Sequence, residues 1–220
     1  MRRAPEEKQR DPERTKARIL DAALREFAAK GFAGARVSEI AAGAGVNKQL
    51  ISYYFGGKEG LYDALTGRWQ SQESAFADQG APLGRLVADY VRATTAHRDF
   101  GKVMIWQGLA DDGRPDPALE EDMRSNVERL RARQEAGEIP ADVDPAALLV
   151  MLFAVASAGV SFPQLVRAAM GLDPASPEFG AHYAEQVERL VTHLRAPGRE
   201  RPTALDASPS PRSATRADEV

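Results

Sequence analysis

Apolar positions along this 220-residue chain recur at the spacing of helices, and no run alternates with the period of two that a half-buried strand requires. Ile19, Leu20, Ala23, Phe27 and Ala28 share one face of a helix expected over about residues 15–30, with Thr15 as its N-cap and Gly31 as its end. Val37, Ile40 and Ala41 point one way over residues 37–44. After Gly45, Leu50 and Ile51 do the same over a helix capped by Asn47 and reaching about residue 54. Gly56 and Gly57 stop that helix, and another starts near Lys58. Five more are expected at about 82–97, 99–110, 117–136, 145–170 and 177–195, about nine in all. Pro82, Pro117, Pro145 and Pro177 suit first helical turns, and Gly137 and Gly171 suit helix ends. The pattern predicts an all-α protein with polar, disordered ends at residues 1–14 and 197–220.

One stretch changes its meaning on inspection. From Pro145 to Val166 no residue is charged, a length that could span a bilayer. Only Leu148–Val155 is densely apolar, Ala, Gly and Ser dominate the remainder, and Pro163 interrupts it. A helix buried inside the protein fits this better than a membrane span. The start of the chain is basic but carries no apolar segment behind it, so no secretory signal is expected and the protein is read as cytoplasmic.

Two short helices joined by a four-residue turn containing glycine form a helix-turn-helix, and residues 37–54 meet that description. Leu50 and Ile51 hold the second helix down, leaving Asn47, Lys48, Gln49, Ser52 and Tyr53 on the other side. Lysine can meet guanine or phosphate, glutamine can reach adenine, and a tyrosine hydroxyl suits phosphate. The helix N-terminus at Asn47 adds a partial positive charge. Double-stranded DNA is therefore the expected partner. Charge agrees with this: residues 1–62 carry 12 Lys/Arg against 8 Asp/Glu, whereas the remainder carries 17 against 24. A basic head on an acidic body favours polyanion binding at one end only.

Residues 19–65 resemble the TetR-like transcriptional regulators. The shared elements are Gly31-Phe32, Ile40-Ala41, Ala44-Gly45-Val46, Tyr53-Tyr54-Phe55 and Lys58-Glu59-Gly60-Leu61. The resemblance implies a three-helix DNA-binding head over 15–62 and a helical ligand-binding and dimerisation bundle over 63–196. It adds Arg36, Ser38, Tyr54 and Lys58 to the DNA-binding candidates, Lys58 as the holder of a phosphate with helix capping as the alternative. Three positions depart from the family habit. Arg36 stands where a capping Thr or Ser is usual, Ser52 where Tyr is typical, and Tyr54 where His is common. Gly60 is also expected to weaken the fourth helix by about 1 kcal/mol relative to Ala.

In the body, Phe100, Met104, Trp106, Gln107, Met123, Phe153 and Phe162 are candidates to line an effector cavity, with simple core packing as the alternative for each. Following the family, helices 145–170 and 177–195 are expected at a homodimer interface. Val155, Ala158, Gly159 and Phe162 would supply one stripe, and Tyr183, Val187, Leu190, Val191 and Leu194 the other. His182 and His193 share a helix face about 16 Å apart, too far to hold one metal. No cysteine is present, the Gly43-Ala44-Gly45 segment lacks a preceding strand for a phosphate loop, and no catalytic group or cofactor is called for. The function expected is a dimeric repressor of a palindromic operator, released by a small molecule. An effector-independent or architectural DNA binder, or an all-helical enzyme, are the alternatives.

Overall fold

The computed structural model describes residues 5–111 and 113–194, and these form ten helices with no strand. The order is α1 (Pro5–Gly34), α2 (Val37–Ala44), α3 (Lys48–Phe55), α4 (Lys58–Phe76), α5 (Leu83–Ala96), α6 (Arg98–Leu109), α7 (Pro117–Glu135), α8 (Pro145–Ser161), α9 (Pro163–Met170) and α10 (Pro177–His193). The cap expected at Asn47 is in place. Asn47, Asp116, Asp144 and Ser176 each accept a backbone N–H of the following turn, and Pro117, Pro145 and Pro177 open their helices.

Two expectations are corrected. The arm read as disordered over 1–14 is helical from Pro5, so Thr15 lies inside α1 rather than capping it. Its Glu, Lys, Gln and Arg residues are good helix formers. Residues 1–4 and the tail expected over 197–220 lie outside the described residues. The helix expected over 145–170 is two helices bent by 80°. Pro163 has no N–H to give the carbonyl of Gly159 four residues back, which is where a straight helix would need it. The Arg98 guanidinium supplies the missing donor, 3.2 Å from Gly159 O, and also donates to Pro174 O at 2.6 Å. Burial holds the Arg98 pKa below its ordinary value, against the opposing pull of Asp173 and Asp99. Among the described residues no single helix is long and apolar enough to cross a membrane, and only this bent pair passes by length and composition.

Two cores organise the molecule. The head core gathers Ile19, Ala23 and Phe27 of α1, Ile40 of α2, Ile51 of α3, and Leu61 and Leu65 of α4. Phe100 and Val103 of α6 complete it, so a body helix packs directly into the head. Burying each of these large side chains contributes about 1.5–3 kcal/mol. The body core joins Leu83, Val87 and Val91 of α5 to Ala184, Val187 and Val191 of α10, with Leu130 of α7 and Leu148 of α8. Helices α5 and α10 approach through one glycine each. A Cβ at Gly84 would lie 2.7 Å from Glu188 O, and one at Gly180 would lie 3.0 Å from Thr95 Cγ2.

That packing revises the two stripes assigned to the dimer. Val187 and Val191 are in the body core, and the half-buried Tyr183 donates to Val155 O at 3.2 Å. Gly159 is occupied from within the chain, because a Cβ there would stand 2.5 Å from the Phe179 ring. Of the two stripes only Phe162, Leu190 and Leu194 are large apolar residues left exposed, and Val150, Met151 and Phe153 join them on α8. Glycine at 159 leaves room for the Phe179 ring of α10 inside one chain.

Candidate nucleic-acid interface

The turn between α2 and α3 is built from both ends. Gly45 adopts φ 62°, ψ 42°, and its N–H returns to the end of α2. Val46 N–H then donates to Ala41 O at 3.0 Å, setting the half-buried Val46 against the head core. Arg18 of α1 donates to the carbonyls of Ala44 and Gly45, which are the uncapped end of α2. This locking residue escaped the sequence reading, since nothing local links position 18 to position 45. Asn47 Oδ1 accepts from Gln49 N at 2.9 Å and starts α3.

On α3, Ile51 is fully buried and Leu50 is half-buried against the core. Lys48, Gln49, Ser52 and Tyr53 are exposed, as is Asn47, and Tyr53 reaches 79% exposure. An exposure that high for an aromatic ring is what a surface-reading side chain requires. Tyr54 is half-buried, packs edge-on against Tyr53 at 5.0 Å and lies beneath the Lys16 ammonium. It buttresses α3 more than it faces outward. Lys16 itself titrates above its ordinary value, chiefly through its hydrogen bond to Glu13.

Arg36 and Ser38 are exposed at the start of α2. Arg36 occupies the N-cap position without a side-chain cap, as its residue type dictates. Compensation comes from α1, where Glu26 Oε1 accepts the Arg36 N–H at 3.2 Å while holding Lys30 at 2.8 Å. The Lys30 hydrogen bond foremost, helped by the Arg36 amide, holds the Glu26 carboxyl below its ordinary pKa.

Lys58, the first residue of α4, is half-buried and reaches backwards. Its Nζ donates to Ala33 O at 3.4 Å and stands 4.7 Å from the centroid of Phe32. In this structure it caps the end of α1, the alternative to a phosphate contact. Just beyond it, Gly60 has a specific job: a Cβ there would overlap the carbonyl oxygen of Phe55, at the end of α3. Glycine at 60 lets α4 start hard against the end of α3.

The seven effector-cavity candidates are not brought together. Phe100 is in the head core, because α6 turns Phe100 and Val103 towards α1. Met104 is exposed; Phe153 and Phe162 are exposed on α8 and at its end, and Met123 is half-buried on α7. Trp106 and Gln107 alone share a wall, lining a groove of about 370 Å³ between head and body.

The comparisons agree with this division. The family profile described as bacterial regulatory proteins, tetR family, matches residues 19–65, and that of the tetracyclin repressor-like C-terminal domain matches residues 83–191. The HTH-type transcriptional repressor SCO4008 of Streptomyces coelicolor is 35% identical over 171 residues, covering 74% of this chain and 86% of that protein. The HTH-type transcriptional regulator RutR of Escherichia coli K12 is 29% identical over 192 residues, covering 80% and 88%. The solved structure of the transcriptional regulator SCO4942 of Streptomyces coelicolor superposes with a TM-score of 0.65 at 27% identity, covering 80% of this chain and 97% of that one. With both family profiles matched and a repressor of this kind 35% identical over most of both chains, the chain belongs to the TetR family of bacterial DNA-binding transcriptional regulators.

Proposed function

We propose that the protein is a homodimeric repressor whose two α3 helices read the halves of a palindromic operator, and whose body couples a small-molecule signal to that grip. The observation that carries this reading is the α3 surface. Lys48, Gln49, Ser52 and Tyr53 are solvent-exposed while Ile51 anchors the helix from beneath. Apolar contact fixes the helix, and polar tips are free to meet phosphates and base edges. The repressor SCO4008, similar over most of both chains, supports repression over activation.

Homodimerisation is supported by the apolar residues that the monomer leaves uncovered. Val150, Met151 and Phe153 of α8 and Leu190 and Leu194 near the end of α10 are all exposed by at least 41%. Large apolar residues left exposed favour burial against a partner, and a two-fold axis presents the same residues twice. Such a dimer sets the two heads about one turn of DNA, roughly 34 Å, or a multiple apart. As a regulator of this family, the protein acts through binding and not through chemistry on a substrate.

The test is a fluorescence-anisotropy titration of labelled operator DNA with the wild type and with Lys48→Ala and Tyr53→Ala. Both substitutions remove exposed groups, so unfolding should be unchanged while affinity falls. Wild-type affinity retained by both variants at matched salt would remove α3 as the reading element.

A further inference from the structure

We propose that the groove between head and body is a binding site for a small aromatic cation. The site is distinct from any cavity inside the helical body, because its walls come from α1, α4 and α6. Its volume of about 370 Å³ falls in the range of small-molecule sites, roughly 300–1,000 Å³.

The lining chemistry selects the ligand. Phe32, Tyr62 and Trp106 present aromatic surface, and Phe32 already carries one ammonium, that of Lys58. An aromatic face attracts a cation through its quadrupole and stacks on a flat ring system. Glu59 and Asp63, one turn apart on α4, place two carboxylates at the rim. Neither has an ion-pair or side-chain hydrogen-bond partner among the described residues. Of the two cations beside the groove, Lys30 is engaged by Glu26 one turn back on α1, and Lys58 donates to Ala33 O. Burial raises the Tyr62 phenol above its ordinary pKa, so it adds no third negative charge. Two unpaired carboxylates over aromatic walls favour a hydrophobic monocation and disfavour an anion, which they would repel.

Position gives the site its consequence. Trp106 and Gln107 belong to the body helix α6, whereas Phe32 and Tyr62 belong to the head and to the start of the connecting helix α4. A ligand held between them favours the head–body orientation that keeps the groove open. It shifts operator affinity only as far as its own affinity differs between orientations. That consequence rests on the operator-binding reading above; occupation of the groove does not.

The experiment titrates the full chain with tetraphenylphosphonium by calorimetry, without DNA, and uses triphenylphosphine oxide as the uncharged control. The cation should bind and the oxide should bind at least about tenfold more weakly. Glu59→Gln/Asp63→Asn should lower affinity for the cation by about tenfold and leave the oxide unchanged. Ala110→Arg, at the exposed edge of the groove, should abolish binding by putting a guanidinium between the carboxylates. Equal affinity for cation and oxide, no measurable binding of the cation, or full affinity for it in both folded variants would overturn the assignment. Operator titration of the same samples stays separate: loss of DNA binding by the ligand-free wild type would sink the regulator reading while leaving the groove result intact.

Discussion

The indole of Trp106 lies across Gly31, with Trp106 Nε1 donating to Ala28 O at 3.2 Å. Gly31 breaks α1 with φ 66°, ψ 175°, a conformation that residues with a Cβ rarely adopt. An added Cβ would also stand 3.0 Å from the indole. Head and body are thus joined by a direct aromatic contact as well as by the connecting helix α4. Gly31→Ala is expected to destabilise the protein by about 2 kcal/mol through backbone strain and displacement of the indole. Thermal unfolding checks this, and Trp106→Ala should cost less, since the indole is 40% exposed.

Gly60 offers a prediction whose sign separates two accounts. Helix propensity alone says that Gly60→Ala stabilises α4 by about 1 kcal/mol. The contact with the Phe55 carbonyl oxygen says the opposite, because backbone cannot move aside as a flexible side chain can. A loss of about 2 kcal/mol is expected in denaturant unfolding, with weaker operator binding as α3 shifts against α4.

Much of this was legible in the sequence, and the parts that were not share a cause. The helix-turn-helix, the cap at Asn47 and the helix-opening prolines are local signals, read from a few adjacent residues. Arg18 bound to the carbonyls of Ala44 and Gly45, and Arg98 bound to Gly159 O, link positions far apart in the chain. Pro163 announced an interruption, but its 80° bend depends on what Arg98 supplies. The cavity candidates sit on separate helices that the fold does not gather around one space. Phe100 and Met104 are one turn apart, yet one enters the head core and the other faces solvent. Residue type suggested a pocket; only the crossing of α6 over α1 decides which way each side chain points.

Lys58 is a choice between two roles that salt dependence can separate. If it leaves Ala33 O to hold a phosphate on DNA, Lys58→Ala should lower the slope of log affinity against log salt by about 1. If it stays as the cap of α1 over Phe32, the slope is unchanged and only unfolding stability falls. The resemblance at Lys58-Glu59-Gly60-Leu61 favours the lower slope.

Glu26 gives the head an acid-sensitive joint. Its folded pKa is depressed, so its stabilisation is complete above the unfolded carboxylate value and disappears as pH falls through the folded value. Acidification should therefore weaken the Lys30 and Arg36 contacts together. Glu26→Gln should flatten the acid limb of a stability–pH profile measured by urea unfolding. The neutral-pH stability of that variant should be lower than that of the wild type.

The central claim is that the exposed face of α3 reads a two-fold symmetric DNA site. Selection of genomic fragments bound by the full chain, followed by sequencing, tests it most directly. The account predicts enrichment of fragments sharing one palindrome, lost when Lys48 and Tyr53 are both replaced by Ala. Recovery of fragments with no shared symmetric sequence, or the same palindrome with the double variant, would contradict it.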